Sequence, residues 1–406
     1  MIQRCQGGIF TVPYVGSRGL ACKAKIVKRL KQTDRGRRAP NSERIGNHDT
    51  EATMGAIDAD AHVIETMQTW SYLNDEERSF MPQLMTQSFG AELRSNEGIP
   101  VRDFWVIEGR AHGKDRNVGT NTSQESREML SVESRLAHMD ELGIETQVLY
   151  PTLFLRPVVE QAERERALCK SYNRWMGDLW QRGKGRLRWV ANPPLQLLEK
   201  TPAAVRDDLE WSKNHGACGV FMRGLECERP LGSSYFYSLW EMSGELDLPV
   251  CIHSANGSFF HHDFFAEDTT FTKFKLTVVG ACHTLIEKEL PKQFPKVRWG
   301  FVEVSAQWVP YVLNDLADRY RRQGKSFRAD ALAANNMWVA CENTDDLPYV
   351  LSYAGENSLM IGTDYGHHDP SSELNAIHLL RNDPRIGAAV IDKILESNPR
   401  KFYGID

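Results

Sequence analysis

From residue 55 onward, short runs of Val, Ile, Leu and aromatic residues alternate with longer segments of helical period. Eight runs read as strands, at 56–60, 145–150, 186–193, 217–224, 248–254, 297–304, 337–343 and 359–365. Helical periods lie between them. The clearest, 123–143, carries apolar Met129, Leu130, Val132, Leu136 and Met139 and stops at Gly143. Others span 163–181, 235–246 and 306–323. Runs that are apolar at every position belong in a parallel sheet covered on both faces, joined by right-handed crossovers. Eight such units predict an α/β fold, a (β/α)8 TIM barrel. A doubly wound sheet would need a glycine-rich turn after its first strand, and this chain has Ala61-His62-Val63 there. Segment 66–122 follows neither period. It reads as an insertion or lid after the first strand, with Trp70 and Trp105 as its packing residues.

Composition adds an asymmetry. The 406 residues are 41% hydrophobic and 25% charged with a net charge of −5, ordinary for a globular chain. The first 53 residues, however, hold 11 Lys/Arg against four Asp/Glu, and the remainder 38 against 50. Residues 1–54 therefore read as a basic, disordered extension, with a short amphipathic helix conceivable over 23–31, and 55–406 as the folded barrel. An acidic body predicts neither nucleic acid nor a membrane surface as partner. The longest apolar runs fall short of the ~18 residues of a membrane span. Eight cysteines without a CxxC pair read as reduced thiols, which predicts a cytoplasmic protein.

In a barrel of this type the chemistry sits where the strands end. The first strand ends in Asp60 and His62, alternate residues that point the same way along an extended chain. The fifth ends in His253, the sixth in Glu303, the seventh in Glu342 and the eighth in Asp364, whereas the second to fourth end in Tyr150, Asn192 and Arg223. Buried charges need partners, and a divalent metal is the partner this set implies.

The segments carrying these residues are Asp58-Ala59-Asp60-Ala61-His62, the run 248–253, Phe301-Val302-Glu303-Val304-Ser305 and Ile361-Gly362-Thr363-Asp364-Tyr365-Gly366-His367-His368-Asp369. Together with Met139-Asp140-Glu141-Leu142-Gly143 and the closing Asn398-Pro399-Arg400-Lys401-Phe402-Tyr403-Gly404, they resemble the amidohydrolase superfamily over residues 56–406. The nearest branch is the amidohydrolase 2 group, which holds aminocarboxymuconate semialdehyde decarboxylase and the resorcylate decarboxylases. The resemblance implies metal ligation by Asp60, His62, His253 and Asp364, with Glu303 as a further ligand. Asp60 stands where many members carry histidine, as does Glu303. Two imidazoles and several carboxylates shift the expected ion from Zn toward Fe or Mn, one or two per chain.

The resemblance also implies the catalytic candidates Asp364, as general base, and Glu303. His283 is a third candidate, as an acid or as ligand of a second metal. The expected activity is metal-dependent hydrolysis of an ester, thioester or amide-like bond in a bulky, partly apolar small molecule. Non-oxidative decarboxylation of an aromatic or enoic acid is the alternative, and a catalytically inactive binding barrel a further one. Arg223 is expected to clamp a substrate carboxylate or phosphate, and Phe259, Phe260, His262 and Trp308 to contact the substrate. Family habit implies a homodimer.

Overall fold

The computed structural model describes residues 55–86, 93–94, 100–101, 103–114, 117–267 and 270–405. The basic extension, including 23–31, Cys5 and Cys22, lies outside the described residues.

Eight parallel strands run Ala56–His62, Ile144–Tyr150, Leu187–Ala191, Ala217–Arg223, Val250–His253, Trp299–Val302, Met337–Cys341 and Leu359–Ile361, each hydrogen-bonded to the next in sequence order. The ring closes between the eighth and the first. Ala61 bridges Tyr365, His62 N–H donates to the Tyr365 carbonyl at 2.7 Å, and Asp364 N–H donates to the Asp60 carbonyl at 2.9 Å. Every residue of the first, fifth, sixth, seventh and eighth strands is buried, as continuous apolar runs require. Helices such as Ala162–Arg182, Pro202–Asn214, Leu276–Glu287 and Val309–Arg322 form the outer layer. The eight-strand prediction holds.

One helix differs. The segment expected as a single helix over 123–143 is two, Gln124–Arg127 and Val132–Glu141. Met129 takes a φ of 55°, which no helix accommodates, and Ser131 restarts the helix by accepting from Ser134 N–H at 3.1 Å. The break frees Arg135, fully buried, to reach inward. It donates to Gln147 Oε1 at 2.6 Å and to the His62 carbonyl at 3.2 Å.

Gln147 in turn donates to Asp58 Oδ2 at 2.8 Å, and Asp58 accepts from Thr363 N–H at 2.9 Å and Thr363 Oγ1 at 2.6 Å. One buried carboxylate thus ties the first, second and eighth strands together just beneath the ends that carry polar residues. Burial pushes its pKa up to about 6, against the hydrogen bonds from Thr363 and Gln147. At the axis, Tyr403 of helix Asn398–Tyr403 donates to the Ala59 carbonyl at 2.7 Å and so accepts from Tyr150 Oη, also at 2.7 Å.

Within 66–122, an antiparallel ribbon of Gln83–Thr86, Asp103–Ile107 and Arg110–Gly113 follows two short 3-10 turns. Trp70 and Trp105, both buried, meet edge to face at 5.8 Å. Among the described residues no helix is long and apolar enough to cross a membrane. Cys169, Cys218, Cys227, Cys251, Cys282 and Cys341 are free thiols.

Ring closure depends on one small residue. A Cβ on Gly362 would lie 2.3 Å from Asp60 Cβ and within 2.9 Å of the Asp60 backbone, which has no room to yield. Gly362→Ala is expected to cost about 2–3 kcal/mol, read as a lower urea midpoint, because strands one and eight must separate.

Candidate metal centre

The strand ends converge as the barrel geometry requires. Asp60 and His62 project from the end of the first strand, and His253 from the end of the fifth. Glu303 and Asp364 follow the sixth and eighth strands. Both take left-handed backbone, with φ of 59° and 51°. For residues other than glycine that conformation costs about 1 kcal/mol each and turns the chain sharply. All five side chains are buried. Nε2 of His62 lies 3.1 Å from Nε2 of His253, 3.4 Å from Asp60 Oδ1, 3.5 Å from Asp364 Oδ1 and 3.9 Å from Glu303 Oε2. Nε2 of His253 is 3.3 Å from both Asp60 Oδ1 and Glu303 Oε2.

The hydrogen bonds on the far side of each ring fix what faces this point. His62 Nδ1 donates to the Pro151 carbonyl at 3.1 Å, and His253 Nδ1 faces the Ser254 carbonyl at 3.3 Å. With Nδ1 engaged by a carbonyl, each ring presents its Nε2 to this point, the arrangement in which imidazole binds metal. Burial, aided by His367, holds His62 down to about 3, so it stays neutral. Burial and then neighbouring carboxylates push Glu303 and Asp364 well above the usual carboxylate range. Glu303 Oε2 and Asp364 Oδ2 are buried with no hydrogen-bond partner. Lone pairs and carboxylates crowded into one buried point repel unless a cation joins them. Among the described residues Asp60, His62, His253 and Glu303 present atoms that fit a divalent ion, as do His62, Glu303 and Asp364 together with His367, with nitrogen and oxygen donors in the mixture that suits Mn, Fe or Zn.

The residues match the amidohydrolase family model over 57–405. The chain belongs to the amidohydrolase family. No curated sequence is similar enough to match it. Solved structures share the fold at low identity. An amidohydrolase from Mycobacterium avium subsp. paratuberculosis K-10 is 18% identical with a TM-score of 0.69, covering 87% of this chain and 98% of its own. A 5-carboxyvanillate decarboxylase from Novosphingobium aromaticivorans, complexed with manganese and a nitrobenzoic acid, is 18% identical with a TM-score of 0.57, over 71% and 85%. The 4-oxalomesaconate hydratase of Rhodopseudomonas palustris is 15% identical with a TM-score of 0.56, over 86% and 95%.

Beside the five converging groups of this amidohydrolase lies a residue that the sequence reading left at the rim. His367 is buried and stacks on His62, ring centroids 3.9 Å apart. Its Nδ1 is 2.8 Å from Asp364 Oδ1 and its Nε2 is 3.0 Å from Thr152 Oγ1. Thr152 donates its one hydroxyl proton to the Val63 carbonyl at 2.8 Å, so it accepts from His367 Nε2–H. His367 Nδ1 and Asp364 Oδ1 must then share a proton, whichever of them carries it. The signal in the sequence was the i,i+3 spacing after Asp364 across a turn with Gly366 at a φ of 100°.

Other expected residues stand elsewhere. His283, on helix Leu276–Glu287, pairs through Nε2 with Asp315 of the next outer helix at 2.9 Å and is not brought to the cluster. Arg223 is fully engaged. Nε and Nη2 bind the Glu226 carboxylate at 2.8 and 2.6 Å, and Nη1 donates to the carbonyls of Phe154 and Arg156 at 3.1 and 2.9 Å. Glu342 faces Lys275 Nζ at 3.4 Å. Trp308 donates to the Ser305 carbonyl at 2.8 Å and meets Phe301 edge-on. Phe259 lies under the Arg110 guanidinium, at 4.6 Å, and Phe260 is 76% exposed. His262, half-buried, is held down to about 4 first by burial and then by Lys273 and Arg156.

The buried crowding leads to a measurable outcome. Chain loaded with Mn(II) is expected to hold about one ion and to melt several degrees higher than chelator-treated chain, by mass action on the folded state. His62→Ala combined with Asp60→Ala should remove both effects, as read by elemental analysis and calorimetry. Full occupancy in that variant would place the ion elsewhere.

Proposed function

We propose that this amidohydrolase is a metal-dependent lyase that decarboxylates an aromatic or enoic acid. The observation that carries the reading is the 2.8 Å contact between Asp364 Oδ1 and His367 Nδ1, held beside the cluster. Hydrolysis was the first expectation from sequence. It is less well supported, since the structural relatives include a decarboxylase and a hydratase. The second-metal version of hydrolysis also loses the ligand expected for it. His283 is bound to Asp315, Arg223 is a committed cation, and among the described residues the two candidate groups overlap at His62 and Glu303.

Asp60, His62, His253, Glu303 and Asp364 would hold the ion, which would supply positive charge to a substrate carboxylate and neighbouring hydroxyl oxygen. The rest is work for the chain's own side chains. Arg156 is buried and lines a small cavity with Glu303, His367, Thr152 and Ser254. Its positive charge would draw a substrate carboxylate toward this cavity. Arg223 acts one step back, because its Nη1 holds the Phe154 and Arg156 carbonyls and so fixes the turn presenting Arg156. The Asp364–His367 pair then gives its proton to the carbon bearing the carboxylate. The carbon–carboxyl bond breaks, CO2 departs, and its electron pair restores the conjugated system. Water returns the proton to the pair. Thr152, holding His367 Nε2–H, keeps Nδ1 aimed at Asp364 throughout.

Three measurements on Mn-loaded protein test the reading, with dihydroxybenzoates and methoxylated hydroxybenzoates as trial acids. CO2 release is expected from at least one of them. His367→Asn should lower kcat by about a hundredfold with KM little changed, the ordinary contribution of a positioned acid. Arg156→Gln should raise KM by about tenfold or more, as loss of a positive charge beside the substrate carboxylate predicts. Ester hydrolysis without CO2 release, dependent on Asp364, would return the assignment to hydrolysis.

A further inference from the structure

A cavity away from the metal cluster plays no part in the proton transfer derived above. It encloses about 540 Å3 beside helix Ala162–Arg182, past the ends of the third and fourth strands, and no member of the metal cluster lines it. Phe221 separates the two, lining the cavity with its ring centroid 6.2 Å from that of His253.

We propose that this cavity binds an organic ammonium compound, an amine on an apolar body with a nearby oxygen acceptor. Three independent observations point there. The walls are aromatic, from Phe154, Phe221, Tyr235 and Phe259. The face of Tyr235 already takes a cation, with the Arg229 guanidinium 4.3 Å from its ring centroid. Second, the lining holds five glutamates against two arginines. Most of that excess has partners. Glu226 is paired with Arg223, and Glu228 accepts from the backbone N–H of Phe259 at 2.6 Å and from Ser258.

Glu165 is different. It is 8% exposed, it accepts from Gln196 N–H at 2.8 Å, and among the described residues no cationic side chain lies within ion-pair distance of it. Burial pushes its pKa up to about 8, the state of a carboxyl that lacks a counter-ion. Third, Asn192 Nδ2, on the same lining and 2% exposed, has no hydrogen-bond partner. An ammonium group answers Glu165, an oxygen answers Asn192, and an apolar body fills the space between the aromatic rings. An anion would meet the glutamate excess, and a purely apolar molecule would leave both polar groups unanswered.

The probes are phenethylamine, 2-phenylethanol and 3-phenylpropionate, titrated calorimetrically into the full-length Mn-loaded chain at neutral pH. The amine is expected to bind roughly tenfold tighter than the alcohol or the acid. Glu165→Gln should erase that preference, while Glu303→Gln should leave the amine affinity unchanged. Equal or tighter binding of the acid would overturn the proposal, as would loss of amine binding in Glu303→Gln, which would move the amine to the metal centre. If Glu165→Gln loses its fold by circular dichroism, the order of the three probes on the native chain decides alone. An amine that fails to outbind its alcohol there refutes the site.

Discussion

Two imidazole nitrogens 3.1 Å apart, each turning its lone pair toward the other, form a repulsive contact that a folded protein does not keep without return. Pro151 and Ser254 impose it by taking the opposite ring protons. Three carboxylates sharpen it, and two of their oxygens have no other partner. A cation at the centre turns every one of these repulsions into attraction. The arrangement around the mouth follows from that constraint. Left-handed backbone at Glu303 and Asp364 is tolerated because it aims their carboxylates inward, and the burial that makes the ligands costly alone makes them strong together.

Such a centre needs a rigid floor. Asp58 supplies it, and its position in the chain explains why one side chain suffices. It lies two residues before Asp60 on the same face of the first strand, so whatever fixes Asp58 fixes the start of the cluster. Thr363, its partner, immediately precedes Asp364. The two ends of the ligand set are therefore held through one carboxylate, while Arg135 and Gln147 satisfy the remaining polar atoms from the second strand side. The absent side chain of Gly362 belongs to the same device, since any Cβ there would press on Asp60.

The strands were legible because a barrel strand is apolar on both alternations, which no surface element can be. The ligand positions were legible because chemistry-bearing residues fall at strand ends, where an Asp or His after an apolar run stands out. What stayed hidden was commitment. Arg223 sits at a strand end like a substrate clamp, yet its four hydrogen bonds go to Glu226, three residues on, and to two carbonyls of a loop almost seventy residues away. His283 carries the right side chain on the wrong layer, and only the packing of two outer helices pairs it with Asp315. The break at Met129 was masked by good helical spacing on both sides, because periodicity does not register one residue of left-handed backbone.

His367 shows the same limit from the other direction, and it bears on the chemistry. A histidine two residues past a strand-end motif looks like rim, and nothing in its neighbours along the chain says that it is stacked on His62. Its role follows from counting protons across three residues. Thr152 has one hydroxyl hydrogen, Val63 takes it, His367 must fill the vacated acceptor, and a proton is left between Nδ1 and Asp364. A general base that activates water would be best left bare, with its carboxylate open to the nucleophile. A carboxylate already sharing a proton with an imidazole is arranged instead to give one away. That difference, set by a threonine hydroxyl one hydrogen bond removed from His367, is the physical ground for proposing carbon protonation over water attack.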